Sequence, residues 1–216
     1  MQATLNASLI DACRRVRVVP VLTITDVPQA VPLARALVAG GLTVLEITLR
    51  SPEALEAIRW IAVEVEGAEV GAGTVLTAAH AGQAIGAGAR FLVAPGSTPR
   101  LLDAAEDLAV PLLPGAATAS EAMALLERGY RFLKFFPAEQ SGGIAALRAL
   151  AASLHDIKFC PTGGVGPDNV AAYLACPNVV CAGGSWVAPP KLVAARDWAG
   201  ITALARAACN PVKGHA

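Results

Sequence analysis

The stretch RFLKFFPAE, residues 131–139, sets a lysine, Lys134, among three phenylalanines and a leucine. Side chains alternate along a strand, so Lys134 shares a face with Phe132 and Phe136. Desolvation on that face disfavours the ammonium and leaves some neutral amine. A neutral amine can attack a ketone and form a Schiff base, whose iminium accepts electrons from a breaking bond. The structural alternative is a lysine paired with Glu46 across the interior. Strand position does not choose between the two, and an ion pair in the resting protein is compatible with the chemistry. The chain has only four lysines, so a buried one needs a reason.

Three further groups could serve the same chemistry. Glu46, Thr48 and Arg50 end the run LTVLEITLR and recur at every second position. A carboxylate at 46 could relay protons to and from a reacting hydroxyl, or could simply pair with Arg50 or Lys134. The planar fork of Arg50 suits a substrate carboxylate, although an arginine at a strand end is also an ordinary surface residue. Thr74, after GAG, offers a hydroxyl or is only a turn residue. Finally, PTGG (161–164) and GGS (183–185) let backbone N–H groups approach an anion closely. Each alone is an ordinary tight turn; together they point to a phosphate.

Elements that would position these groups follow from an alternation of short apolar runs with alanine-rich segments of helical period. Strands are expected at 18–24, 42–48, 69–75, 91–95, 111–115, 131–137, 156–162 and 179–184. Helices are expected near 27–40, 52–66, 77–88, 98–108, 118–128, 142–153 and 166–175. Eight β-α units predict a single-domain (β/α)8 TIM barrel over 1–216, with an extra N-terminal helix at 4–15 and residues 191–209 closing the ring. A doubly wound open sheet is the competing arrangement. In a barrel, chemistry gathers at the C-terminal strand ends, where every group named above falls.

Composition narrows the partners. Lysine plus arginine (17) balances aspartate plus glutamate (17), which favours neither nucleic acid nor an anionic membrane. Charged residues make up 16% and hydrophobic ones 55%, as in folds whose strands are buried on both faces. The long uncharged stretch 169–190 contains Pro177, Pro189 and Pro190 with Gly183–Gly184, which argues against a spanning helix. With no apolar run and cleavage site near the N-terminus, a soluble, cytoplasmic protein is expected. Five scattered cysteines read as reduced, buried residues, and histidines 80, 155 and 215 have no metal-ligand spacing.

The blocks LVAGGLTVLEITLR, VGAGTVL, FLVAPG, FLKFFPAE, KFCPTGGV and GGSW, in order from about residue 18 to 186, resemble the bacterial 2-keto-3-deoxy-6-phosphogluconate (KDPG) aldolases. That family also includes 4-hydroxy-2-oxoglutarate (KHG) aldolase activity. The resemblance implies a homotrimeric (β/α)8 barrel, a Schiff-base aldolase of the Entner–Doudoroff pathway, with no metal and no cofactor. It places the Schiff base on Lys134 and general acid/base catalysis on Glu46. Arg50 and Thr74 would hold the keto-acid carboxylate, and Pro95 and Phe136 would line the pyruvate pocket. Phosphate ligands fall on Thr162, Gly163, Gly164, Gly184 and Ser185. The implied partners are a 2-keto acid substrate, pyruvate and a phosphorylated aldehyde. Rival readings are an aldolase for another sugar acid, an imine-free isomerase barrel, and a barrel that binds a keto acid without turning it over.

Overall fold

The computed structural model describes residues 2–209. Helix α1 (Gln2–Val16) precedes β1 (Val18–Leu22), and strands and helices then alternate along the chain. A 3-10 turn at Val27–Gln29 leads into α2 (Ala30–Ala39), followed by β2 (Val44–Thr48), α3 (Ala54–Glu64) and β3 (Glu69–Gly73). Next come α4 (Ala78–Gly86), β4 (Leu92–Val93), α5 (Pro99–Asp107), β5 (Leu112–Leu113), β6 (Gly115–Ala116) and α6 (Ala119–Glu127). The last third holds β7 (Phe132–Phe135), α7 (Gly143–Ser153), β8 (Lys158–Pro161), α8 (Val170–Leu174), β9 (Ala182–Gly184), α9 (Pro190–Ala194) and α10 (Trp198–Cys209).

All strand pairing is parallel, in a six-stranded sheet ordered β5-β4-β3-β2-β1-β9 and a three-stranded sheet ordered β6-β7-β8. The segment expected as one strand at 111–115 is divided at Pro114. Proline has no N–H to give a ladder, so the chain pairs with β4 before it and with β7 after it. The carbonyl of Pro114 still accepts from the Lys134 N–H at 2.9 Å. On the other side, single bridges Phe159↔Val179 and Thr162↔Gly183 join β8 to the segment entering and forming β9. The eighth expected strand, 179–184, is thus regular only over Ala182–Gly184.

Helix faces explain the packing. Ala30, Leu33, Ala34 and Leu37 of α2 recur at helical spacing and are buried. Gly40, just after α2, leaves no room for a side chain, because a Cβ there would meet Ala205 Cβ of α10 at 2.4 Å. Thr202 of α10 also donates to the Ala36 carbonyl at 2.9 Å. The C-terminal helix is therefore seated against α2. Thr77 and Thr98 cap α4 and α5, and Thr118 with Glu121 forms a capping box on α6. All five cysteines are free, four of them buried. Among the described residues, no helix is long and apolar enough to cross a membrane.

Candidate active site

The interior holds one buried ion pair among the described residues, and it joins the two sheets. Lys134 Nζ on β7 donates to Glu46 Oε1 at 3.0 Å and Oε2 at 3.4 Å, with side chains 5% and 4% exposed. Every other ion pair has at least one partner much more exposed. Buried charges are tolerated when paired in this way, and removing one partner strands the other. Lys134 Nζ also lies 5.5 Å from the centroid of the Phe136 ring, so the cation has an aromatic face beside it. Phe132, on the same strand face, is wholly buried.

Glu46 can turn inward because β3 gives it space. In the register Thr48↔Gly73, a Cβ at Gly73 would come within 2.2 Å of Glu46 Oε1. The second glycine of GAG is thus a requirement of the carboxylate next door. Beyond that glycine, Thr74 adopts φ 57°, a left-handed conformation that is uncommon outside glycine. Its hydroxyl accepts from Arg50 Nε at 3.2 Å. Arg50 lies in the turn after β2, two residues beyond the end of the strand. It makes no ion pair among the described residues, which leaves guanidinium N–H groups free for an anion.

Arg50 and Phe136 line a cleft of ≈ 610 Å³ together with Thr162, Gly163, Gly164, Gly184 and Ser185. Among the described residues, no loop or side-chain acceptor meets the N–H groups of Gly164 or Ser185. Backbone donors of this kind are otherwise satisfied within a fold, so these two are groups that an anion in the cleft could satisfy. Lys134, Glu46, Thr74 and Pro95 do not line this cleft directly. They adjoin it through Phe136 and Arg50, and Pro95 backs onto Gly115, whose Cβ would meet the Pro95 carbonyl oxygen at 2.2 Å. Gly115 is in turn the register partner of Lys134.

Thr23 and Thr25, just past the end of β1, also line the cleft, beyond the residues expected from sequence. Thr48 donates to the Leu22 carbonyl at 3.0 Å and sits 2.8 Å from Thr23 Oγ1, which anchors this wall. The signal was present: TIT places two hydroxyls at a strand end, where the same positional rule applies. Among the described residues, no cluster of three or more His, Cys, Asp or Glu could hold a metal ion.

A parallel α/β scaffold that buries a lysine–carboxylate pair beside a cleft lined by Arg50 and two glycine loops has the groups that imine chemistry on an anionic carbonyl compound uses. The model of the KDPG and KHG aldolase family matches residues 9–204, and the chain belongs to that family. It is 52% identical over 197 residues, covering 91% of this chain and 92% of the relative, to a 2-dehydro-3-deoxy-phosphogluconate aldolase of Pseudoalteromonas atlantica. Its fold superposes with a TM-score of 0.90 on the KDPG aldolase of Legionella pneumophila, whose structure holds pyruvate captured as a covalent carbinolamine. That protein is 42% identical, with 92% of this chain and 97% of the other covered. A KDPG aldolase of Zymomonas mobilis with 3-phosphoglycerate gives a TM-score of 0.89 at 48% identity, covering 95% of this chain and 97% of that one.

Proposed function

We propose that the protein is a Schiff-base aldolase that cleaves 2-keto-3-deoxy-6-phosphogluconate to pyruvate and glyceraldehyde 3-phosphate. 4-Hydroxy-2-oxoglutarate, cleaved to pyruvate and glyoxylate, is its second substrate. The observation that carries this reading is the Lys134–Glu46 pair at 3.0 Å, the one buried ion pair among the described residues.

In this mechanism Lys134 passes a proton to Glu46 and attacks the C2 ketone. Glu46 returns the proton to the carbinolamine hydroxyl, which leaves as water and gives the iminium. Glu46, again a carboxylate, takes the C4 hydroxyl proton through a water as the C3–C4 bond breaks. The bonding electrons flow into the iminium, so an enamine and an aldehyde result. Protonation of the enamine at C3 and addition of water release pyruvate and the free amine. Arg50, braced by Thr74, holds the keto-acid carboxylate; Pro95 and Phe136 flank the pyruvate unit. Thr162, Gly163, Gly164, Gly184 and Ser185 take the distal phosphate.

The same reading joins the two sheets into one (β/α)8 barrel domain spanning 1–216, with α1 as the extra N-terminal helix. The division at Pro114 and the β8–β9 bridges support that closure. A homotrimer and a cytoplasmic location rest on the family resemblance and its metabolic role, and sedimentation velocity tests the trimer.

Pyruvate with sodium borohydride should inactivate the protein and add a pyruvate-derived mass to the peptide containing Lys134. Labelling of Lys158 or Lys191 instead would overturn the assignment, and absence of labelling would favour an imine-free isomerase or a non-catalytic binder. Glu46→Gln should lower kcat by about 10²-fold or more, the range of a lost general acid/base. Borohydride trapping in that variant should slow yet still occur, and normal turnover would remove Glu46 from the mechanism. Because the iminium supplies the electron sink, activity should survive exhaustive EDTA dialysis. A loss restored by Zn²⁺ or Mg²⁺ would place the protein among metal-dependent aldolases.

A further inference from the structure

Glycines 163 and 164 both have positive φ, 99° and 78°, a backbone shape that side chains with a Cβ rarely adopt. The loop does not hold this shape alone. The N–H groups of Ala138 and Glu139, in the turn after β7, donate to the carbonyls of Thr162 at 2.8 Å and Gly163 at 3.1 Å. Glu139 lies flat against the loop, since a Cβ on Gly164 would fall 2.4 Å from Glu139 Cγ. Its carboxylate accepts from the hydroxyl of Tyr173 and from Asn169 Nδ2 at 3.5 Å. Asn169 also donates to the Gly164 carbonyl at 3.0 Å and accepts from the Gly166 N–H at 2.8 Å. Tyr173 is wholly buried on α8, and burial followed by the Glu139 bond raises its phenol above its ordinary range.

We propose that Glu139, Asn169 and Tyr173 are positioning residues that set the affinity of the 162–164 loop for the substrate's phosphate. This rests on the aldolase reading above and deepens it. The carbonyls of residues 162, 163 and 164 accept from the Ala138 N–H, the Glu139 N–H and the Asn169 amide, and Tyr173 holds the Glu139 carboxylate. What remains for an incoming anion is the Gly164 N–H, beside that of Ser185 across the cleft. A carboxylate beside an anion site would ordinarily repel its ligand. Here the Tyr173 hydroxyl and the Asn169 amide donate to it, so Glu139 serves as the fixed post to which the loop is tied. The chemistry at Lys134 lies outside this network and should not sense it.

The test compares inorganic phosphate as a competitive inhibitor, KDPG turnover, and borohydride trapping with pyruvate alone. Tyr173→Phe and Glu139→Ala should each raise KM for KDPG and the inhibition constant of phosphate by about 10-fold, the worth of one charge-assisted hydrogen bond. The rate of trapping with pyruvate, which lacks a phosphate, should stay at the wild-type value. Glu139→Gln keeps an acceptor for Tyr173 and should restore phosphate affinity to within about two-fold, since a neutral acceptor forms a weaker but intact bond. Unchanged phosphate affinity in both loss variants would overturn the proposal. Equal losses in phosphate binding and pyruvate trapping would also overturn it, by making the network a support of the whole fold. If phosphate fails to inhibit the wild-type protein while trapping at Lys134 succeeds, the phosphate site itself is misassigned and the network's role falls with it. If trapping fails as well, the aldolase reading is what has failed.

Discussion

Lys134→Met is expected to abolish covalent trapping of pyruvate and to lower kcat for KDPG cleavage on the order of 10⁴-fold or more, as removal of a covalent nucleophile does. The substitution also leaves Glu46 as a buried carboxylate, 3% exposed, with no cation beside it. Breaking a buried pair in this way costs about 3–5 kcal/mol of stability. Loss of activity could then reflect unfolding, and the double variant Lys134→Met with Glu46→Gln separates the two effects. It removes the stranded charge, so its Tm should recover toward the wild-type value while trapping stays absent. A Lys134→Met protein that still turns over KDPG would place the imine on another lysine.

Ser185→Asp carries the second large effect. It sets a negative charge beside the N–H groups of Gly164 and Ser185, where the phosphate dianion is proposed to sit. Binding energy from that remote group orients the reacting C3–C4 bond, so its loss appears in kcat/KM. The expected fall is on the order of 10²-fold or more for KDPG, since like charges in a partly desolvated site repel by several kcal/mol. For 4-hydroxy-2-oxoglutarate, which has no phosphate, the fall should be much smaller. Equal losses on both substrates would show general damage to the scaffold. No loss on KDPG would put the phosphate elsewhere.

Much of the candidate site is legible in the chain because its polar residues interrupt apolar strands. Lys134 and Glu46 stand out among phenylalanines and leucines, and burial of both follows from the strands that carry them. The strand expected at 42–48 does end at Thr48, but it begins only at Val44, and Arg50 meets Thr74 from the turn beyond. The run 111–115 reads as one strand because its apolar pattern is continuous. Its division at Pro114 depends on which neighbour each half pairs with, a tertiary fact. The expected helix at 166–175 begins only at Val170, because Asn169 ties down the preceding turn through Gly166. Thr23 and Thr25 are not legible in the chain by themselves, because a threonine in a strand is ordinary until its neighbours across the cleft are known. Glu139 and Tyr173, 34 residues apart, were invisible as a pair for the same reason.

The pair formed by Lys134 and Glu46 spans 88 residues of chain and belongs to different sheets, with Glu46 on β2 and Lys134 on β7. Neither half of the molecule carries a working centre by itself. Contacts of such long sequence separation close a large loop, so they form only after much of the chain has ordered. Imine formation is consequently a reporter of folding as well as of catalysis. During refolding, competence to react with pyruvate should lag behind recovery of helical signal. Two fragments divided in the loop between α4 and β4 would each be inert, and activity on mixing them would count molecules whose sheets have docked.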